Sequence, residues 1–323
     1  MSTDTPAPQR PALQRPKSGS ASGRSHAGSI LLLLGLALCW GYNWVVMKIG
    51  LQDAGPVAFA AIRCLGGAII LGLVMLAMRR SFRIVEPWTV AVIGLLQTAL
   101  AQGLIAMALH GGQAGKSAVL NYTLPVWVMI LGFLFLKERP RLMQWLATLV
   151  AFAGVMVMTF LNGRPGSLAP IVYALSASLC WGAGTVVTQA LMRRHSGRID
   201  TLALTAWQLF LGGLVLTLLA LVVPEAPLHW TTSLILALIY NVGPASAIAF
   251  LLWFMLQQRI EANILSLIVL IVPLVGIAAG WVQLGEQPSE PDAIGMALIL
   301  AAIAGMVLSQ RKRAPAAAVA DAA

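Results

Sequence analysis

The chain has 323 residues, of which 59% are hydrophobic and only 10% charged, with a mean hydropathy of +0.84. A soluble domain carries about 25% charged residues, so this chain lacks the charge to coat a water-facing surface, which excludes a cytosolic enzyme and a disordered protein. Its net charge of +10 sits in short clusters between long apolar runs, a pattern that suits a membrane protein and excludes a nucleic-acid-binding face.

Residues 1–28 are rich in Pro, Ser, Ala and Arg and hold too little apolar surface to fold, so a disordered tail is expected there. A basic stretch before an apolar run can be a secretory signal. Here the run lacks a small-residue cleavage pattern and continues through Trp40, Asn43 and Trp44 to Lys48, which reads as a retained first helix. Crossing a bilayer core takes about 20 mostly apolar residues. Ten such stretches follow in order: 29–49, 56–78, 88–109, 115–136, 142–161, 169–191, 201–223, 231–254, 262–284 and 291–309. Gly, Pro or charge clusters separate them, among them Gly55-Pro56, Arg79-Arg80, Gly111-Gly112 and Arg193-Arg194-His195. A second tail is expected at 310–323.

Lys and Arg orient the spans. With the N-terminus inside, 17 of the 21 basic residues fall on the cytoplasmic side, three (Lys48, Lys116, Arg164) fall outside, and Arg63 lies within a span. The positive-inside rule therefore predicts a multi-pass protein of the inner (plasma) membrane with both termini cytoplasmic.

The spans repeat. Leu38-Cys39-Trp40-Gly41 in span 1 matches Leu179-Cys180-Trp181-Gly182 in span 6, and Gly66-Gly67 in span 2 matches Gly212-Gly213 in span 7. Pro125 in span 4 matches Pro273 in span 9. The end Leu136-Lys137-Glu138-Arg139-Pro140 of span 4 likewise matches Leu284-Gly285-Glu286-Gln287-Pro288 after span 9. Five spans per half is an odd number, so the halves must lie in opposite orientation. The predicted fold is an all-α integral membrane protein of ten transmembrane helices, built as two inverted five-helix repeats at 29–161 and 169–309. Inverted repeats are a recurring build for secondary transporters, with the ligand near the midplane.

These residues carry a resemblance. The LCWGYNW run of span 1 with its LCWG echo, Pro56 with Arg63, Pro125 with LKERP, and Pro273 with LGEQP together resemble the EamA domains of the drug/metabolite transporter superfamily, over roughly residues 29–309. The resemblance implies a ten-helix inner-membrane exporter of small metabolites such as amino acids. The second half has Trp207-Gln208 near the place of Arg63, so the halves differ chemically.

Polar groups inside a bilayer are costly and mark function or helix contacts. Arg63 lies about 10 Å below the outer end of span 2 at about 1.5 Å per residue. Its guanidinium could clamp a carboxylate through two parallel bonds, or brace a neighbouring helix. Lys48 reads more simply as an interfacial anchor. Trp40, Asn43, Gln97, Asn121, Tyr122, Trp181, Thr185, Gln208 and Asn241 are the further candidates to line a substrate cavity. An uncharged set of Trp, Tyr, Asn and Gln suits a small amphipathic ligand, and amides acting as glue between helices are the competing reading. Pro125 and Pro273 each remove a backbone bond, and as a matched pair they are candidate gating or kink positions.

All eleven Asp and Glu residues fall in tails, loops or span ends. With no acid at mid-membrane, transport down the substrate gradient is the simpler expectation, and His110 at a span end is the remaining group for proton exchange. Cys39, Cys64 and Cys180 show no metal or disulfide spacing. There is no P-loop and no HExxH, so neither cofactor nor metal is expected and no catalytic set emerges. A membrane-embedded enzyme acting on a lipid or lipid-linked substrate is the alternative, and it would gather charges at one membrane face. The expected partners are a small-molecule substrate and the lipid bilayer, not nucleic acid. The sequence leaves the oligomeric state open, a monomer included.

Overall fold

The computed structural model describes residues 22–161, 168–195, 199–249 and 268–311, with Leu252 and Leu256 between. Most of the two expected tails, and the predicted junction of spans 8 and 9, lie outside the described residues. Within them all regular structure is helical: α1 Ser22–Gly50, α2 Pro56–Ala77, α3 Pro87–Gly111, α4 Ala114–Leu136, α5 Leu142–Phe160, α6 Ala169–Arg194, α7 Thr201–Val222, α8 from Thr232–Val242 onward, α9 Ile268–Leu284 and α10 Glu290–Arg311. Eight are long and apolar enough to cross a membrane, and the described parts of α8 and α9 are shorter. These are the ten transmembrane helices of the all-α, two-repeat fold.

The helix starts follow from local chemistry. α2, α3 and α6 begin with Pro in the first turn, where a missing N–H costs nothing. α7 is capped by Asp200, whose carboxylate accepts from the amide of Leu202 at 2.9 Å, and α8 by Thr231.

The helix pairings mirror each other across the repeats. α1 packs on α9 as α6 packs on the inner half of α4. α1 meets α8 as α6 meets α3, and α2 meets the stretch after α8 as α7 meets the middle of α3. The pairs α2–α7 and α5–α10 complete the set. That is the contact pattern of a two-fold axis relating the halves. The internal matches in the sequence mark crossings. Gly41 faces Val272 and Val275 of α9, and Gly182 faces Trp127 of α4. Gly154 lies against Gly295 and Ile299 of α10, while Gly305 lies against Met143 and Ala147 of α5.

A side chain at Gly154 would meet the backbone of α10, with its Cβ 2.7 Å from the carbonyl oxygen of Gly295. Backbone cannot step aside as a side-chain tip can. Gly154→Val is therefore expected to part α5 from α10 and destabilise the bundle by about 1–3 kcal/mol. Thermal unfolding of the purified protein measures it, and an unchanged midpoint would contradict the packing described.

Two departures from regular helix were not expected from the sequence. α3 runs as a π-helix over Gly94–Leu100, and α8 continues as one over Gly243–Ile248. They occupy matching places in the two halves. Such stretches are frequent at functional sites. α4 is broken rather than kinked: it stops at Asn121 and restarts at Leu124, with Pro125 in the new first turn. Pro125 has no N–H to give, and its ring would strike the carbonyl four residues back, that of Asn121. The matched Pro273 sits inside a continuous α9.

Candidate functional site

The polar candidates fall into two groups at different depths. The outer group, so called for the side that the Lys and Arg distribution predicts to be outside, is built on α1, α2, α3 and α8. Arg63 on α2 is half-buried and reaches Met47 Sδ on α1 at 2.9 Å and Gln102 Oε1 on α3 at 3.1 Å. Among the described residues no carboxylate pairs with it. Asn43 lies one turn below Met47 on the same face of α1 and is 7% exposed. Its Oδ1 has no hydrogen-bond partner among the described residues. Asn241 on α8 is fully buried; its Nδ2 donates to the Ala237 carbonyl at 2.9 Å, and its Oδ1 also has no partner among the described residues.

Two contacts one turn either side fix the level of Asn241. Ala237 Cβ is 3.0 Å from where a Cβ on Gly50 would stand. The carbonyl of Ala245 accepts from Trp40 Nε1 at 3.1 Å. Asn241 therefore stands opposite the interval of α1 between Trp40 and Gly50, which holds Asn43 and Met47. Arg63 and Asn43 are each about 10 Å below the outer helix end, and Gln102 and Asn241 about 14 Å, at about 1.5 Å per residue. Gln102 belongs with this group although only its polar character inside an apolar run marked it.

The inner group lies between α3 and α6. Gln97, inside the π-helical stretch, donates to Thr185 Oγ1 at 3.0 Å and faces the Trp181 carbonyl at 3.5 Å. Thr185 also donates to that carbonyl at 2.8 Å. Gln208 on α7 is half-buried, and its backbone oxygen would be 3.1 Å from a Cβ on Gly94. This is helix–helix hydrogen bonding of the kind that holds membrane bundles together. Asn121 and Tyr122 sit at the break in α4. Asn121 is buried, with no partner for its Oδ1 among the described residues, and the Tyr122 ring lies 6.5 Å from that of Trp44.

An apolar groove of about 540 Å³ opens between α1, α8 and α9. Leu38, Tyr42, Tyr240 and Val275 are in its wall, and none of the candidate site residues is.

Charged groups at the helix ends tie one half to the other. At the end of the bundle where α1 finishes, Glu225 after α7 accepts from the Val57 and Ala58 amides that open α2, at 2.8 and 3.0 Å. Glu286 after α9 accepts from the Ala114 amide at 2.7 Å and from that of Gly115 at 3.3 Å, the open end of α4. Lys116 pairs with Asp292 at 2.6 Å. Lys48 is not a lipid-facing anchor: it donates to the Leu109 and Gly112 carbonyls at the end of α3, at 2.7 and 2.6 Å. It answers the negative end of that helix. At the opposite ends of the helices, Arg80 pairs with Asp200 at 3.1 Å, Arg193 with Glu138, and Glu86 with both Arg194 and His195.

Glu86 also accepts from Thr89 Oγ1 at 2.7 Å. That bond and the His195 contact hold its carboxyl below the ordinary value of 4.5. A depressed carboxyl contributes stability that is complete above its ordinary value and lost as pH falls through the depressed one. The advantage of the wild-type chain over Glu86→Gln is therefore expected to hold down to about pH 4.5 and fade below it. Thermal unfolding across that range reads it, and a gap between the two that ignores pH would contradict it.

The chain matches the EamA-like transporter family twice, over residues 27–160 and 168–308. It is 27% identical to the uncharacterized transporter YoaV of Bacillus subtilis, covering 85% of this chain and 94% of that one. It is also 27% identical to a probable amino-acid metabolite efflux pump of Salmonella typhimurium, covering 84% and 92%. A solved crystal structure superposes with a TM-score of 0.62 at 19% identity, covering 88% of this chain and 99% of that one, and so shares its fold.

Proposed function

The chain belongs to the EamA-like transporter family, and from that premise we propose that it is a secondary transporter exporting small carboxylate-bearing metabolites, amino acids among them, by alternating access across the inner membrane. The observation that carries this reading is Arg63. It is a cation about 10 Å below the helix end, held by a thioether and an amide and by no described acid. A charge in that setting is expensive unless something pairs with it, and a substrate carboxylate answers the planar fork with two bonds. The name of the Salmonella relative, an efflux pump for amino-acid metabolites, supports the substrate class.

The two five-helix units, 29–161 and 169–309, would rock against each other around that site. The end contacts that cross between them favour this motion. The Glu286 cap ties α9 to the start of α4 outside, while its repeat counterpart Glu138 pairs with Arg193 at the other face. Both termini are taken as cytoplasmic, on the Lys and Arg distribution. Reporter fusions at either end should be active only in the cytoplasmic format, and an active periplasmic reporter at one end would overturn the orientation.

Export is tested in cells expressing the chain and loaded with dipeptides, which hydrolyse to free amino acids inside. Faster appearance of amino acids in the medium than from vector-only cells is expected. Equal rates across the full set of amino acids would count against the substrate class.

A further inference from the structure

The outer polar group has an uneven inventory. Arg63 offers only donors, and its described partners leave part of the guanidinium fork for another group. Asn43 and Asn241 each present an acceptor oxygen that none of the described residues uses. The amide of Asn241 is fixed in orientation, because its Nδ2 donates to the Ala237 carbonyl and only an N–H can do so. Its unpartnered end is therefore the acceptor. A buried acceptor without a donor costs about 1–3 kcal/mol, and here two of them stand within about one helical turn in depth of a cation that no described acid pairs with.

We infer that the Oδ1 atoms of Asn43 and Asn241 receive the ammonium of a substrate whose carboxylate lies on Arg63, so that this site selects zwitterions over simple carboxylic acids. The inference rests on the proposed carboxylate role of Arg63 and adds the specificity-determining residues for the amine. A primary ammonium brings three N–H donors and no acceptor, the complement of what the two amides lack. Neutral oxygens suit a transporter better than a fixed acid would. They read the ammonium by hydrogen bonds without a buried ion pair that would resist release. A site built to bond a substrate N–H rejects the analogue that lacks it, because its own polar groups are then left unpaired.

The test is binding to the purified full-length chain of each proteinogenic L-amino acid and of the matching deaminated carboxylic acid. The best-bound amino acid is expected to bind at least about 10-fold tighter than its deaminated acid, the size of a hydrogen bond to a charged group. Asn241→Leu and Asn43→Leu should each bring that ratio down towards one while leaving the deaminated acid bound as before. Asn241→Asp, which keeps the volume and the acceptor, should hold or raise the ratio and serves if the Leu variant does not fold. Arg63→Ala separates the two readings. If it loses both ligands the carboxylate role stands, and if it keeps both while the Asn variants lose the ratio, only the amine assignment stands. A wild-type ratio near one, Asn variants that keep the wild-type ratio, a drop to one in Asn241→Asp, or no binding by any amino acid would each overturn the inference.

Discussion

Arg63→Ala is expected to cut transport by about 100-fold or more, corresponding to about 2.7 kcal/mol, in a protein that folds as well as the wild type. The two halves of that expectation work against each other under any other reading. If Arg63 were a brace, held by Met47 Sδ and Gln102 Oε1, removing it would loosen α1, α2 and α3 and lower stability. If it is a substrate ligand, truncation removes a cation that burial penalises, and stability holds or rises while flux collapses. Arg63→Lys keeps the charge and loses the planar fork, so an intermediate defect is expected, mainly in KM. Flux and thermal unfolding measured on the same preparations decide it. Wild-type flux in folded Arg63→Ala protein would dispose of the carboxylate role.

The second large effect is expected at Glu286. Its carboxylate closes the open amides of Ala114 and Gly115, at the start of the eight-residue helix Ala114–Asn121 that precedes the break in α4. A helix that short has little stability of its own, so a carboxylate on its positive end matters more than on a long helix. The cap also joins α9 to α4 across the repeats. Glu286→Ala should remove about 0.5–2 kcal/mol from the arrangement described. Under the proposed alternating access the outer end opens and recloses in every cycle, so that shift changes the balance of states, and about 1.4 kcal/mol moves it tenfold. A fall of about that size in maximal rate is expected, with KM nearly unchanged because Glu286 bonds the amides of α4 and not Arg63. A defect confined to KM would instead place Glu286 in the binding site.

The architecture was legible in the sequence because its signals are local or periodic. Apolar runs gave the helices, the Lys and Arg distribution predicted their direction, and Gly41 with Gly182 marked crossings that the fold uses. Asn43, Arg63 and Asn241 also stood out, since a polar residue in an apolar run is visible without a structure. What stayed hidden depends on distance in space. Glu225 and Glu286 read as ordinary loop acids, and nothing in their neighbourhood tells that each caps a helix of the other half. Lys48 looked like a headgroup anchor until the end of α3 came within its reach. The π-helical stretches begin at Gly94 and Gly243, residues that by themselves signal little. The candidate residues looked like one pocket in the sequence. The fold parts them, with Gln97, Trp181 and Thr185 bonded to each other between α3 and α6, away from Arg63.

The most direct measurement is counterflow in liposomes holding the purified chain. The vesicles are preloaded with an unlabelled L-amino acid and diluted into a trace of the same compound labelled, and the twenty proteinogenic amino acids are taken in turn. A transient accumulation of label above equilibrium is expected for at least one of them, without an imposed pH gradient, and none with Arg63→Ala. Absence of counterflow for every amino acid in the wild-type vesicles, or equal counterflow in the Arg63→Ala vesicles, would contradict it.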